Sequence, residues 1–388
     1  MRVIDHVPAA IRSLAPYQPG KPIEELARER GLNPADIVKL ASNENPLGMS
    51  PKARATLEST AAEGARYPDG NGFVLKEAIS RKFGVAPERL VLGNGSNDVL
   101  ELAARIVLQP GTEAVYSRYA FAVYPLVTQA LGARPVQVPA RDYGHDLEAM
   151  LAAITPRTRV VFLANPNNPT GTFVSGEALA AFLERVPEDV LVVLDEAYGE
   201  YLDPAERYES LAWVDRFSNL LVCRTFSKIY GLASLRVGYG VARPELVDVM
   251  NRIRQPFNVN SFALTAAAAA LEDEAFVARS AELNRRGLQQ LYEGFARLGL
   301  RWVPSRGNFV MVHVGDAAAV NEALLDRGVI VRPIAGYGLP EWLRVTVGLP
   351  EENARFLEAL ADILPTCGGP MKTKPVGRLV VCGVGLIG

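Results

Sequence analysis

The chain has few of the residues that organise small secreted or metal-stapled proteins. Among 388 residues there are three cysteines (Cys223, Cys367, Cys382), three histidines (His6, His145, His313) and three tryptophans. Three scattered cysteines cannot build a disulfide framework, and neither they nor the histidines have the spacing of a zinc site. An excess of one charge is lacking too. The 41 Lys+Arg against 43 Asp+Glu leave a formal net charge of -2, which removes any bulk electrostatic case for nucleic acid or membrane binding. No apolar run approaches the roughly 18 residues of a membrane span. Met1–Ala10 is broken by Arg2, Asp5 and His6, unlike a signal peptide. Asn94-Gly95-Ser96 spells a glycosylation sequon, which means nothing without secretion. A reducing, cytoplasmic setting is expected.

What is present is a globular composition, 49% apolar and 22% charged, long enough for about two domains. From Leu90 onward short apolar runs alternate with longer helical patterns. Val160–Leu163, Val190–Leu194, Leu220–Cys223 and Val237–Val241 read as strands, and Gly176–Arg185 as a helix between them. This alternation predicts βαβ units and a mostly parallel, buried sheet. Ala263–Ala270 reads as the buried face of a helix, a long charged helix is predicted over Glu272–Leu298, and Arg301–Leu364 has strand, helix, strand, helix character. The expected organisation is an N-terminal segment (1–45) joining a small domain, a large domain (46–270), the small α+β domain itself (271–366) and a tail (367–388).

The candidate chemistry lies just after predicted strands, where ligands bind in sheets of this kind. Lys228 follows the run Leu220–Cys223 and has no acidic neighbour. A lysine ordinarily sits in water, but a desolvated amine has a depressed pKa and forms a Schiff base with a carbonyl. The carbonyl expected here is the aldehyde of pyridoxal phosphate, which would carry the reaction while the protein holds it. Asp195 closes a five-residue apolar strand. A carboxylate there is costly unless it meets a cation, and the cofactor's pyridine nitrogen is suitable; a helix cap is the plain alternative. Tyr198 and Asn168 are candidate donors to the ring's phenolate oxygen, although the turn around Asn168, dense in Asn, Pro and Gly, also reads as an ordinary loop. Gly93-Asn94-Gly95-Ser96-Asn97-Asp98 opens the predicted helix Val99–Leu108, and free N–H groups at such a turn cradle phosphate, though such turns are also common caps. Ser227 and Arg236 would complete the cradle. Phe121 is the candidate to stack on the pyridine face, with Tyr124 behind it, and core packing is the alternative for both. Arg344, between strand-like apolar residues, can grip a carboxylate or stand on an edge strand.

Asn168-Pro169-Thr170-Gly171, Asp195-x-x-Tyr198, Ser227-Lys228 and Arg236, in that order, resemble the fold-type I pyridoxal-phosphate-dependent aminotransferases over roughly residues 8–364. Leu14-Ala15-Pro16-Tyr17, Ala41-Ser42-Asn43-Glu44-Asn45-Pro46, Arg66-Tyr67-Pro68-Asp69, Gly93–Asp98 and Leu343–Gly348 resemble the histidinol-phosphate branch of that family. The resemblance implies an α/β fold, with a mostly parallel seven-stranded sheet between helices in the large domain and a smaller α+β domain. It makes Lys228 the cofactor-bound lysine that later moves the substrate's Cα proton. Asp195 falls to the pyridine nitrogen, Asn168 and Tyr198 to the phenolate, and Gly95, Ser96, Asn97, Ser227 and Arg236 to the phosphate. Tyr67 matches a residue that reaches the phosphate from the other subunit, which implies a homodimer with shared sites. Arg344 matches a carboxylate clamp, Tyr17 and Arg332 hold the substrate phosphate, and Asn45 is a further expected substrate contact. The implied reaction is L-histidinol phosphate plus 2-oxoglutarate to imidazole acetol phosphate plus L-glutamate.

Three other readings compete: an aromatic amino acid aminotransferase, a pyridoxal-phosphate decarboxylase of a phosphorylated amino acid, and a non-catalytic regulator on the same fold. The complete catalytic set, and the lack of a basic helix-turn-helix extension, speak against the last. The tail Met371–Gly388 ends in a strand-like run and G-x-G-x-x-G with no helix after it to receive a pyrophosphate. It resembles the opening of a prephenate dehydrogenase cut short, and is expected to be a disordered or loosely docked remnant.

Overall fold

A computed structural model of the chain describes residues 2–365; the expectation about residues 367–388 lies outside them. Three sheets occur among the described residues. The largest has seven strands: β2 (Leu90–Gly93), β3 (Glu113–Ser117), β4 (Arg134–Val138), β5 (Thr158–Ala164), β6 (Leu191–Asp195), β7 (Leu220–Thr225) and β8 (Gly238–Val241), in the order β2-β8-β7-β6-β5-β3-β4. The ladders between β4, β3, β5, β6 and β7 are parallel. β8 runs antiparallel between β2 and β7. β5, β6 and β7 are near-continuous runs of Val, Leu and Phe because helices cover both faces of the sheet, and two buried apolar clusters lie against it.

β2, β3 and β4 are absent from the strands singled out in the sequence. β4, Arg134-Pro135-Val136-Gln137-Val138, is an edge strand with exposed positions and a proline, so neither an apolar run nor clean alternation marks it. The predicted helices are present at Gly176–Leu183, Ser96–Val107, Ser261–Leu271 and Glu274–Arg297. Ser261–Leu271 is apolar on nearly every side because it is buried on nearly every side. Asn260 caps its start, accepting from the Ala263 N–H at 2.8 Å.

The other two sheets frame the second body. β9 (Arg301–Val303), β10 (Phe309–His313), β12 (Arg332–Ile334) and β13 (Leu339–Thr346) form an antiparallel sheet ordered β12-β13-β10-β9, and β1 (Val38–Lys39) pairs in parallel with β11 (Val329–Ile330). The N-terminal segment thus packs with this body: Leu26, Ile37 and Ala41 share a cluster with Leu325 and Ile330. Its chain then runs on along β13, where the Thr346 N–H donates to the Leu40 carbonyl at 2.9 Å. That path carries residues 41–44 into the crevice at the carboxyl ends of β5, β6 and β7.

Candidate active site

The parallel register sets the floor of the crevice. Ala164 at the end of β5 lies opposite Asp195 at the end of β6, and Asp195 opposite Cys223 in β7. The chain beyond each of these strands supplies Asn168, Tyr198 and Lys228, and together with Asp195 they line one cavity of about 410 Å³.

Lys228 is half-buried, with Nζ donating to the Ser42 carbonyl at 3.3 Å. Burial, then the positive charge of Arg344, push its pKa down to about 8. An amine near that value supplies free base close to neutral pH, which a nucleophile or proton carrier needs. Asp195 is 5% exposed. It accepts from the Tyr124 hydroxyl at 2.7 Å and from the Ala197 N–H at 3.2 Å. Burial raises its pKa in spite of these bonds, so a cationic group beside it would be strongly held.

The phosphate-type cradle is also assembled. Gly95 has φ +76°, and a Cβ there would meet Arg236 Nη2 at 2.5 Å, so only glycine lets the guanidinium lie against the turn. A Cβ on Gly238 would meet the Ser96 N at 2.5 Å, covering a first-turn N–H of the helix Ser96–Val107. Arg236 Nη1 donates to Ser227 Oγ at 3.3 Å and to the Ala233 carbonyl at 3.1 Å. Ser96 and Asn97 line the cavity beside them.

Two side chains are oriented by their donors. Arg344 Nη1 donates to Asn168 Oδ1 at 2.7 Å. A guanidinium only donates, so the Asn168 oxygen must face it and the amide NH₂ is left over. Burial pushes the Tyr198 hydroxyl up to about 12, and that hydroxyl accepts from Asn43 Nδ2 at 2.8 Å. Among the described residues no acceptor takes the Tyr198 hydrogen or those of the Asn168 amide.

At the mouth, Arg332 stands directly opposite Arg344 in the β12–β13 ladder. Like charges facing each other across strands repel, which favours an anion between them. Arg344 Nη2 donates to the Ala41 carbonyl at 2.7 Å, and its Nε is buried without a partner. Arg332 bonds the Gln18 carbonyl and lies 5.5 Å from the Tyr17 ring centroid.

Phe121 lines the cavity. Tyr124 turns into the core instead, stacks on Phe162 at 4.8 Å and bonds Asp195, so it serves the carboxylate rather than a ring face. Asn45, expected at the substrate, does not line this cavity. Its amide donates to the Ile229 carbonyl and Ser280 Oγ and accepts from the Leu47 N–H, which uses both of its hydrogens within the protein. Tyr67 is 82% exposed, stacked on Phe257 at 4.8 Å, and outside the cavity of its own chain. Asn43 went unnoticed in the sequence, where only its place in Ala41–Pro46 draws attention.

Pyridoxal phosphate can be tested against what the protein leaves unsatisfied here. The cavity offers a depressed amine, a carboxylate short of a cation, two free donors from Asn168 and Tyr198, and a glycine turn against a helix N-terminus with Arg236 beside it. Those groups match an aldehyde, a ring nitrogen, a phenolate and a phosphate, so the residues fit the group. Among the described residues no cluster of His, Cys, Asp or Glu could hold a metal ion.

The family model described as aminotransferase class I and II matches residues 35–360. The chain is 63% identical over 365 residues to a histidinol-phosphate aminotransferase of Methylobacillus flagellatus, covering 94% of this chain and 99% of the relative. It is 62% identical to histidinol-phosphate aminotransferase 2 of Ralstonia nicotianae, covering 92% and 96%. Among solved structures, the histidinol-phosphate aminotransferase of Sinorhizobium meliloti in complex with pyridoxal-5'-phosphate superposes with a TM-score of 0.86 at 30% identity, covering 93% of this chain and 98% of that one.

Proposed function

The chain belongs to the class I and II aminotransferase family, and from that premise we propose that it moves the amino group of L-histidinol phosphate to 2-oxoglutarate, with pyridoxal phosphate as cofactor, in histidine biosynthesis. The observation that carries the substrate choice is the Arg332–Arg344 pair on neighbouring strands, with Tyr17 against Arg332. The high identity to relatives of that name supports it. A transaminase must admit two substrates in one site. Glutamate brings an α-carboxylate; histidinol phosphate has none, but brings a phosphate on a nearby carbon. Arg344 can hold either anion, and Arg332 with Tyr17 adds the extra grip that a dianion needs.

When bound, the cofactor supplies an electron sink for the charge left at the substrate's Cα. Lys228 would hold the cofactor at its aldehyde, and its amine is the group placed to move the proton at the substrate's Cα. Asp195, held by Tyr124, keeps a cationic ring nitrogen beside it. Asn168 and Tyr198 would direct their free hydrogens at the phenolate, Phe121 would pack against the ring, and Gly95, Ser96, Asn97, Ser227 and Arg236 would hold the phosphate. The reaction so proposed is a cytoplasmic one; among the described residues no helix is long and apolar enough to cross a membrane.

The experiment is a single-turnover spectrum of the cofactor-loaded protein mixed with histidinol phosphate or, in parallel, phenylalanine. Fast conversion to the aminated cofactor by histidinol phosphate alone is expected. Faster conversion by phenylalanine would move the activity to aromatic amino acids.

The same reading makes the protein a homodimer. Tyr67 and Phe257 stack on each other while both stay exposed, and Phe73 and Val74 are exposed as well; Tyr67 would reach the partner's phosphate cradle. Tyr67→Phe and Arg236→Ala chains, each impaired alone, should regain one intact phosphate site per mixed dimer. No recovery on mixing would mean self-contained subunits.

A further inference from the structure

We propose that Asn43 is a positioning residue that aims the Tyr198 hydroxyl hydrogen into the cavity. One donor in this network is unambiguous. The Asn43 backbone N–H donates to Thr346 Oγ1 at 2.9 Å. With that oxygen accepting, the Thr346 hydroxyl hydrogen goes to Asn43 Oδ1 at 3.0 Å. The oxygen end of the amide is thereby fixed on Thr346, and the NH₂ end faces Tyr198 Oη at 2.8 Å. Tyr198 can then only accept from Asn43, so its single hydrogen must point elsewhere, and the open direction is the cavity it lines.

The asparagine is held rigidly enough for this task. Its carbonyl accepts from Asn308 Nδ2 at 2.9 Å, and the next-but-two residue, Leu40, accepts from the Thr346 N–H. It is 1% exposed and has φ +56°, a left-handed conformation that Asn and Asp tolerate better than other side chains. Ring contact with Phe309, 5.0 Å away and nearly edge-on, fixes the Tyr198 ring. A chain segment from the small body therefore sets the direction of a donor on the large one.

The inference rests on the reading that Tyr198 donates to the cofactor's phenolate oxygen. That donation makes the oxygen less able to hold the proton of the neighbouring nitrogen, so losing it raises the pH at which the visible band of the lysine-bound cofactor titrates. Asn43→Asp keeps the shape and suits the positive φ, but replaces the NH₂ by an oxygen that draws the Tyr198 hydrogen out of the cavity. The midpoint should rise by about one pH unit, as it should in Tyr198→Phe. The deciding measurement is Asn43→Asp in the Tyr198→Phe background, because a carboxylate acting only through its charge would shift both backgrounds alike. A smaller shift in that background supports the proposal; equal shifts overturn it. If Asn43→Asp fails to fold, Thr346→Val frees the amide to flip and should give a shift in the same direction, and an unmoved midpoint would count against the idea. A Tyr198→Phe titration identical to wild type would sink the Tyr198 reading itself, and this inference with it.

Discussion

Lys228→Ala should lose turnover by on the order of 10⁴-fold or more, together with the visible absorption of lysine-bound cofactor. No nearby cation replaces it: Arg344 and Arg236, whose charges act on it, are guanidinium groups that stay protonated. Surviving activity would end the assignment of Lys228. The same residue has a second signature that needs no cofactor. A lysine whose pKa falls from 10.5 to about 8 on folding binds fewer protons folded than unfolded between those values, so stability rises with pH across that window. Below about pH 8 both states are protonated and the full cost of the buried ammonium is present; above 10.5 it is gone. At about 1.4 kcal/mol per pH unit the cost is roughly 3 kcal/mol. Cofactor-free Lys228→Met should therefore gain stability over cofactor-free wild type at pH 7 in urea melts, and the gain should shrink as pH rises from 8 to 10.5. A gap that does not change with pH would mean that the amine is not desolvated.

Lys228 and Asp195 were legible in the sequence because each breaks a local rule, a charge at or soon after the end of an apolar strand, and the crevice is where such violations are expected. Orientation was less legible. Asn43 and Asn45 are two residues apart in one motif, yet the left-handed turn at Asn43 sends them to different neighbours, the first to Tyr198 and the second to Ile229 and Ser280. Spacing says nothing about which of the two faces the cavity. Phe121 and Tyr124 separate for a similar reason. A helix begins at Val123, leaving Phe121 before it against the cavity and Tyr124 within it in the core. The facing of Arg332 and Arg344 depends on strand register and on a shift at Pro333/Ile334, which no local pattern encodes. Of the seven-stranded sheet, β5, β6, β7 and β8 were visible as apolar runs, whereas the edge strand β4, half exposed and carrying a proline, was not.

Arg344→Ala should lower kcat/KM for both half-reactions, by about 10³-fold each, whereas Arg332→Ala should separate them. Arg344 is 7% exposed, and burial lowers its pKa. Its two 2.7 Å bonds to Asn168 and the Ala41 carbonyl fix the guanidinium before any substrate arrives, so little order has to be acquired on binding. Removing it deletes the shared anion partner and also leaves the Asn168 oxygen without its donor, which frees that amide to turn away from the cofactor. Truncations of buried, hydrogen-bonded charges cost roughly 2–5 kcal/mol, and the loss falls on glutamate and histidinol phosphate alike because both present an anion there. Arg344→Lys should rescue little, since a single ammonium cannot bridge Asn168, Ala41 and a substrate oxygen together. Arg332 is only half-buried and lies at the mouth against Tyr17. One charge-assisted bond to a phosphate is worth roughly 1.5–3 kcal/mol, so Arg332→Ala should cost about 10- to 100-fold in kcat/KM with histidinol phosphate. The glutamate half should change by less than about 3-fold, since the α-carboxylate that stands in for the phosphate is a monoanion held by Arg344 and does not need the second arginine. Equal losses in the two halves for Arg332→Ala would refute this division, and would mean that the two arginines act as one undifferentiated positive field at the mouth.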